Sequence, residues 1–288
     1  MFSKDILSLP TVVIEHIFKR TPIYDLVNFS LSSEFANFAV NQFNYHVTPS
    51  IEVTIKRKNE LDFYVEIGVL GCSGVWSIEK KDRKSPRIME KIGDNLVVIS
   101  RKSSEALTIL TMDILKTTSS LVHHIQSIFK TIDLTVTFDD IMLSEISGIS
   151  QWKLVSEAKK VKLIDSIVDS WSEFQRLLTP GQDLLLDGAS IEFQDGLTEG
   201  GLDRLKSFKI LNADYQWMLF GFGGTLWTQG PRIYETEEGE KIDCSNGNDW
   251  VREDGRVCTL VFTMEGIKED PMETEVTARR TALFLVWP

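Results

Sequence analysis

The stretch LSLPTVVIEHIFKR, residues 7–20, decides how the chain begins. Ser8 is placed to cap a helix, and a proline in a first turn is tolerated because the N–H it lacks would have no intrahelical partner there. Val13, Ile14, Ile17 and Phe18 then fall on one helical stripe. Lys19 and Arg20 close the segment, where positive charge suits the helix dipole. TPIYDLVNF repeats the pattern, with Thr21 as cap, Pro22 at the first position, and Ile23, Leu26 and Val27 on one face. SSEFANFAV repeats it again, with Ser32 or Ser33 as cap and Phe35, Phe38 and Ala39 on one face. A helical unit of roughly 40 residues is at the lower limit of independent stability. Its apolar stripes must therefore pack on the rest of the chain or on another protein.

Bulk properties bound the remainder. A chain of 288 residues holds one large domain or two smaller ones. An apolar content of 42% and a charged content of 25% are those of a globular protein. A formal net charge of −11 argues against nucleic acid as a partner, because phosphate binding needs a basic surface. The basic runs Lys56 to Lys58 and Lys80 to Lys84 are short and read as solvated turns or strand ends. No segment approaches the ~18 apolar residues of a membrane span. The start MFSKDILSLP has an early acid and no apolar signal core, so the expected location is intracellular, cytoplasmic or nuclear. Cys72, Cys244 and Cys258 are few and unevenly spaced, which fits buried thiols in a reducing compartment.

After a hinge ending at Pro49, SIEVTIKRK, DFYVEIGVL, GVWSIEK and NLVVIS read as strands. Further strands begin near residues 106, 131, 160, 182 and 207, at separations of 25, 29, 22 and 25 residues, with helix-like segments between them. That is the period of leucine-rich repeats, in which each unit buries its strand and helix against its neighbours. Leu134 and Val136, Val161 and Leu163, Leu184 and Leu186, and Phe208 and Ile210 supply the apolar strand cores. The ladder asparagine of a regular repeat is missing, and only Asn212 comes close. The expectation is an irregular leucine-rich-like α/β layer from Ala106 to Asn212, with a doubly wound or mixed sheet as the alternative. PRIYETEEGEKIDCSNGND reads as a long polar loop. Asp254-Gly255 then joins two strand-like runs, a strong hairpin signal, and ALFLVWP reads as a last strand pairing with that hairpin.

No constellation for catalysis emerges. His123 and His124 are adjacent, so on a helix they point about 100° apart and cannot share a metal. His16 and His46 add no metal spacing, and the expectation is no metal and no cofactor. GFGGT at Gly221 to Thr225 lacks the lysine of a phosphate loop and reads as a tight turn. Asp139-Asp140 follows a strand and reads as a cap and first turn. Most of the seven tryptophans read as core, while Trp217 and Trp227 flank the glycine cluster and are candidate anchors for a partner.

Two sets of residues carry a resemblance. Leu9-Pro10, Ile14, Ile17, Phe18, Pro22, Asp25-Leu26, Phe29-Ser30-Leu31 and Ser33 resemble an F-box over residues 4–45. DWVREDGRVCTLVF and ALFLVW resemble the closing signature of nematode-type F-box proteins with an F-box-associated C-terminal domain. Asp249, Arg252, Asp254, Gly255, Thr259, Val286 and Trp287 match it, while Trp250 and Cys258 replace a small aliphatic residue and an alanine. Between Ile51 and Gly247 the likeness is one of pattern.

The resemblance implies a non-catalytic substrate-recognition subunit of an SCF-type ubiquitin ligase. Residues 4–45 would dock on a Skp-type adaptor and, through it, a cullin. Residues 51–288 would hold an unknown protein target. The implied fold is a three-helix F-box followed by an irregular leucine-rich-repeat-like α/β domain ending in an antiparallel hairpin. Leu9, Pro10, Ile14, Ile17 and Leu26 form the expected adaptor edge. Trp227, Trp217, Thr135, Lys162 and Lys209 are the expected target contacts, the last three as exposed positions between core residues together with Thr137. The rival reading is a scaffold protein whose N-terminal helices only cap a larger domain. A small enzyme with a cleft beside GFGGT has no residue set behind it.

Overall fold

The computed structural model describes residues 8–43, 47–59, 62–81, 90–101, 105–169, 174, 176–188, 190–191, 207–211, 225–227, 230–235, 239, 241–251, 255–265 and 279–287. The chain divides into two units, Met1–Thr137 and Phe138–Pro288.

The first unit opens with α1 (Thr11–Arg20), α2 (Ile23–Ser30) and α3 (Glu34–Asn41). Pro10 and Pro22 are themselves the N-caps of α1 and α2, in extended conformation and without a side-chain cap. Neither Ser8 nor Thr21, the caps expected from the sequence, is the N-cap residue itself. Ser8 lies two residues before its cap position, and the Thr21 hydroxyl turns back to donate to the Ile17 carbonyl at 2.9 Å. Ser33 does cap α3, accepting from the Ala36 N–H at 3.1 Å. The helices meet around Phe18, whose ring lies 5.6 Å from Phe29 and 5.3 Å from Phe43.

Seven strands follow: β1 (Ser50–Arg57), β2 (Phe63–Val69), β3 (Val75–Lys80), β4 (Glu90–Ile92), β5 (Asn95–Arg101), β6 (Ala106–Thr111) and β7 (Asp133–Asp139). Their order in the sheet is β7-β1-β2-β3-β6-β5-β4. Period-two alternation places Val53 beside Ile67, Ile67 beside Trp76, and Ile78 beside Ile109, all fully buried on one face. Helix α4 (Ile114–Phe129) packs on β2 and β3 with the expected stripe of Leu121, Val122, Ile125, Ile128 and Phe129. Segment 106–111 corrects the sequence reading. It is not the first strand of the repeat but lies between β3, which it meets in parallel, and β5. Alternation dictates which face of a strand is buried, and it carries no information about which strand sits beside it.

The second unit contains α5 (Lys153–Glu157), β8 (Lys160–Ile164), β9 (Ile167–Val168), β10 (Asp183–Asp187), β11 (Ser190–Ile191) and β12 (Ser207–Leu211). β8, β10 and β12 run parallel and in register. Val161, Leu163, Leu184 and Leu186 are buried on one side of this ladder. Beyond β7, β8 and β10 the chain turns a corner through a left-handed residue: Asp140 at φ 53°, Asp165 at φ 47° and Gly188 at φ 62°. The corners are stitched in series, with the Asp140 N–H donating to the Ile164 carbonyl and the Asp165 N–H to the Asp187 carbonyl. Gly188 is required twice over. Its φ disfavours a side chain, and an added Cβ would lie 2.2 Å from Asp165 Oδ1. Past the corners, β9 and β11 form a second parallel layer. The buried Gln182 closes the inner side by donating to the Val155 and Ala158 carbonyls, each at 2.6 Å. The helix-like segment SQWKLVSEA, residues 150–158, is a 3-10 turn at Ile149–Gln151 followed by the short α5. The helix-like SWSEFQRLL and GLDRLK segments lie largely or wholly outside the described residues.

The chain ends with β13 (Thr225–Leu226), β14 (Ile233–Glu235), β15 (Lys241–Asp243), β16 (Asn248–Val251), β17 (Val257–Glu265) and β18 (Arg279–Val286). The hairpin β16–β17 and its antiparallel partner β18 form as the sequence predicts. β18 also pairs antiparallel with β12, which ends the parallel run. The segment read as a polar loop is instead the hairpin β14–β15, which buries Ile242 and Cys244 against Val261, Leu283 and Leu285. Two apolar residues among many charges sufficed because both fall on one face.

Leu163 and Leu186 test the ladder, being at most 2% exposed. Each Leu→Ala change is expected to cost about 2–5 kcal/mol, read from denaturant unfolding of the full chain. A loss well under 1 kcal/mol at both positions would mean that the ladder is not a core.

Candidate functional site

The N-terminal surface is apolar where a soluble helix would ordinarily be polar. Leu9 and Pro10 are exposed at the entry to α1, followed by exposed Val12 and Val13. Ile17 is half-buried. Ile14 and Leu26, expected on the adaptor edge, turn inward and are 8% and 1% exposed. They support the edge from beneath rather than line it, because the stripe that starts at Ile14 continues through the buried Phe18. On α3 the buried residues are Ala36 and Val40, so Phe35 and Phe38 share a face as expected, but that face is outward, at 62% and 60% exposure. Sequence reasoning missed these two as surface residues because a phenylalanine pair at i, i+3 is the ordinary sign of a core stripe.

The opposite side of α2 is held by the sheet. The Tyr24 ring stacks on Trp76 with centroids 4.6 Å apart, and its hydroxyl donates to the Val75 carbonyl. Trp76 Nε1 donates to Asn28 Oδ1 at 2.7 Å. Gly74 admits the tyrosine, since an added Cβ would lie 2.2 Å from the Tyr24 ring. At the end of α2 the Ser30 hydroxyl donates to the Val27 carbonyl, which leaves its oxygen to accept from His124 Nε2 at 2.7 Å. Burial holds the His124 imidazole below its ordinary pKa of 6.5, so it is neutral at pH 7. His124 is thus the satisfied structural histidine expected, and His123 is exposed.

In the second unit the side of the parallel ladder opposite the buried leucines carries the half-buried Lys162, Leu185 and Lys209 as one lateral row, directly paired across β8, β10 and β12. The row below it pairs Lys160, Asp183 and Ser207. Thr135 is half-buried on β7. Thr137, expected to be exposed, is buried and donates to Glu52 Oε1 at 2.9 Å. Trp217 lies outside the described residues, as do Phe220 and Phe222.

Trp227 is half-buried, and its Nε1 donates to the Gly230 carbonyl. The Arg232 guanidinium lies 4.4 Å from the Trp227 ring centroid and 4.0 Å from that of Trp287. Arg232 also pairs with Asp249. Asp249 accepts from the Thr259 hydroxyl, its direct cross-strand neighbour, and that hydroxyl accepts from Trp287 Nε1 at 2.7 Å. Tyr234 meets the edge of Trp287 at 5.2 Å. Desolvation pushes the nearby Cys244 thiol above its ordinary pKa, so it is an inert core thiol. Three of the residues that carry the C-terminal resemblance, Asp249, Thr259 and Trp287, therefore belong to one closed network.

A cavity of about 310 Å³ lies over Leu143, Ile146, Phe174 and Leu177, with Asp169 the one ionisable residue lining it among the described residues. Among the described residues there is no cluster of His, Cys, Asp and Glu that could hold a metal ion, and no helix long and apolar enough to cross a membrane.

Residues 6–48 match the F-box domain, so the apolar edge of Leu9 to Val13 and the stacked helix α2 both belong to an F-box. The chain carries that domain ahead of a mixed, sheet-rich region. No curated protein and no solved structure matches the chain.

The C-terminal network yields a direct test. Thr259→Val keeps the side-chain shape, strands Trp287 Nε1 and removes one of the two partners of Asp249, which keeps Arg232, so it should cost about 1–3 kcal/mol. Thr259→Ser should restore most of this in the same denaturant titration. Equal stability of the valine variant and the parent would show that the hydroxyl has no structural role.

Proposed function

We propose that this protein is a substrate-recognition subunit of an SCF-type E3 ubiquitin ligase. Its F-box docks on a Skp-type adaptor, and through it a cullin, while residues 51–288 hold a protein target. The observation that carries this reading is the exposed apolar edge of Leu9, Pro10, Val12 and Val13 on a segment that matches the F-box domain. F-box domains generally bind Skp-type adaptors. Leu9, Pro10 and Ile17 are the contacts, with Ile14 and Leu26 fixing their backbone from below. Residues 4–45 are the docking segment.

The role is non-catalytic and intracellular, cytoplasmic or nuclear: the chain positions a target for ubiquitin transfer and needs no cofactor. The closed Asp249–Thr259–Trp287 network supports membership of the nematode-type families with an F-box-associated domain. The corners at Asp140, Asp165 and Gly188 support a leucine-rich-like layer. The target is held by the ladder face at Lys162 and Lys209, with Thr135, Trp227 and Trp217 as further contacts. A second reading, a scaffold without ligase partners, draws on the burial of Ile14 and Leu26.

Replacing Leu9 and Pro10 together with alanine should abolish binding to the purified adaptor, measured by calorimetry, with the melting temperature nearly unchanged because both side chains are exposed. Retained binding would eliminate the docking assignment and favour the scaffold. On the target side, Lys162→Glu with Lys209→Glu should reduce recovery of ubiquitylated targets in cells at least several-fold while adaptor binding persists. An unchanged set of recovered targets would exclude the ladder face.

A further inference from the structure

We infer that Trp76 and His124 are positioning residues for the F-box helices, so that adaptor binding and the folding of the β1–β6 sheet are one coupled equilibrium. The inference rests on the adaptor-docking reading above and extends it to residues far outside the F-box.

The argument starts from the length of α2. It has eight residues, and Tyr24, Leu26, Val27, Phe29 and Ser30 are buried. Five buried positions in two turns exceed one apolar stripe. Two separate environments divide them. Phe29 packs on Phe18 within the helical unit. Tyr24 and Ser30 face away from it, toward Trp76 of β3 and His124 of α4. α2 is therefore shared: it is core for the F-box and core for the sheet.

Separating the helices from the sheet would have three consequences at once. The Trp76 ring, now fully buried, would be exposed to water over its large apolar surface. Its Nε1 would lose Asn28, and His124 would lose Ser30. The backbone groove made by Gly74 would lose the ring that fills it. None of these losses is offset by new contacts, so the helices and the sheet open together rather than in sequence. A ligand that binds only the closed form then protects every amide in the cooperative unit by the same factor, 1 + [L]/Kd.

Hydrogen exchange on the full chain, with and without purified Skp-type adaptor, tests this. At an adaptor concentration of 100 Kd, the slowest amides of β2, β3 and α4 should slow by about 100-fold, together with those of α1–α3. Protection confined to α1–α3, with the sheet exchanging at its free rate, would overturn the inference while leaving adaptor docking intact. Complete failure of the adaptor to bind would instead sink the proposed function, and the free chain then decides. In that case α2 and β3 amides should share one opening rate and one denaturant dependence, and a shallower dependence for α2 would overturn the coupling. Trp76→Phe keeps a ring against Tyr24 and removes the donor to Asn28. It should speed α2 exchange by roughly 3- to 10-fold, the worth of one hydrogen bond, without altering a residue on the adaptor edge. Unchanged α2 exchange would remove Trp76 from the positioning role.

Discussion

The Tyr24–Trp76 stack is the contact on which the first unit depends. Three helices of ten, eight and eight residues cannot exclude water from both sides of their own core. The sheet alone has the matching problem, since α4 covers β2 and β3 but the Trp76 ring needs a further cover. Each element supplies what the other lacks. An aromatic pair of this geometry contributes about 0.5–1.5 kcal/mol beyond the area it buries. The larger effect is topological: the pair forces the helical unit to complete its fold on the sheet. The outward faces of α1 and α3 keep Val12, Val13, Phe35 and Phe38 exposed.

Much of this was legible in the sequence, and the failures have identifiable causes. Leu9-Pro10, the spaced isoleucines and Pro22-Asp25-Leu26 located the helices, because short amphipathic helices with prolines at their entries leave few alternatives. The paired apolar residues of β8 and β10 located the ladder. The assignment of residues 106–111 failed because strand order depends on long-range pairing that a local pattern does not encode. The hairpin β14–β15 was hidden for a different reason. Its core contribution is Ile242 and Cys244, and the glutamates around them lower the mean hydropathy of the whole segment. At the candidate site, Leu9 and Pro10 were correctly read as surface residues, but Phe35 and Phe38 were not recognised as such. Period marks which residues share a face, whereas only the tertiary neighbours decide whether that face is covered.

The second unit solves a geometric problem at its corners. In-register parallel strands that recur every 23 or 24 residues require the chain to turn sharply beyond each strand without losing register. A left-handed residue does this in one step. Aspartate tolerates that conformation better than most non-glycine residues, because its short polar side chain can bond locally. Asp140, which the sequence alone assigned to a cap and first turn, therefore fits a corner instead, and Asp165 fits the next one. The third corner needs glycine, because the Asp165 carboxylate of the preceding corner occupies the space a Cβ would take. The Asp165 corner thus constrains the residue at the next one.

A parallel ladder left open at β12 would present unpaired backbone groups to any passing strand. Here β18 closes it by pairing antiparallel, and β17 and β16 extend the sheet in the same sense. The change of direction places Leu283 directly beside Lys209. Leu283 is covered by Ile242 and Cys244 of the β14–β15 hairpin, while Lys209 remains half-buried on the ladder face. The hairpin is thus a wall where the lysine row ends. Its own position is set by Tyr234 on Trp287 and by Arg232 between two tryptophan rings, and the Thr259 hydroxyl fixes both Trp287 and the carboxylate that holds Arg232. This partly buried polar network favours one placement of the hairpin, since moving it would break the Arg232–Asp249 pair and the ring contacts together.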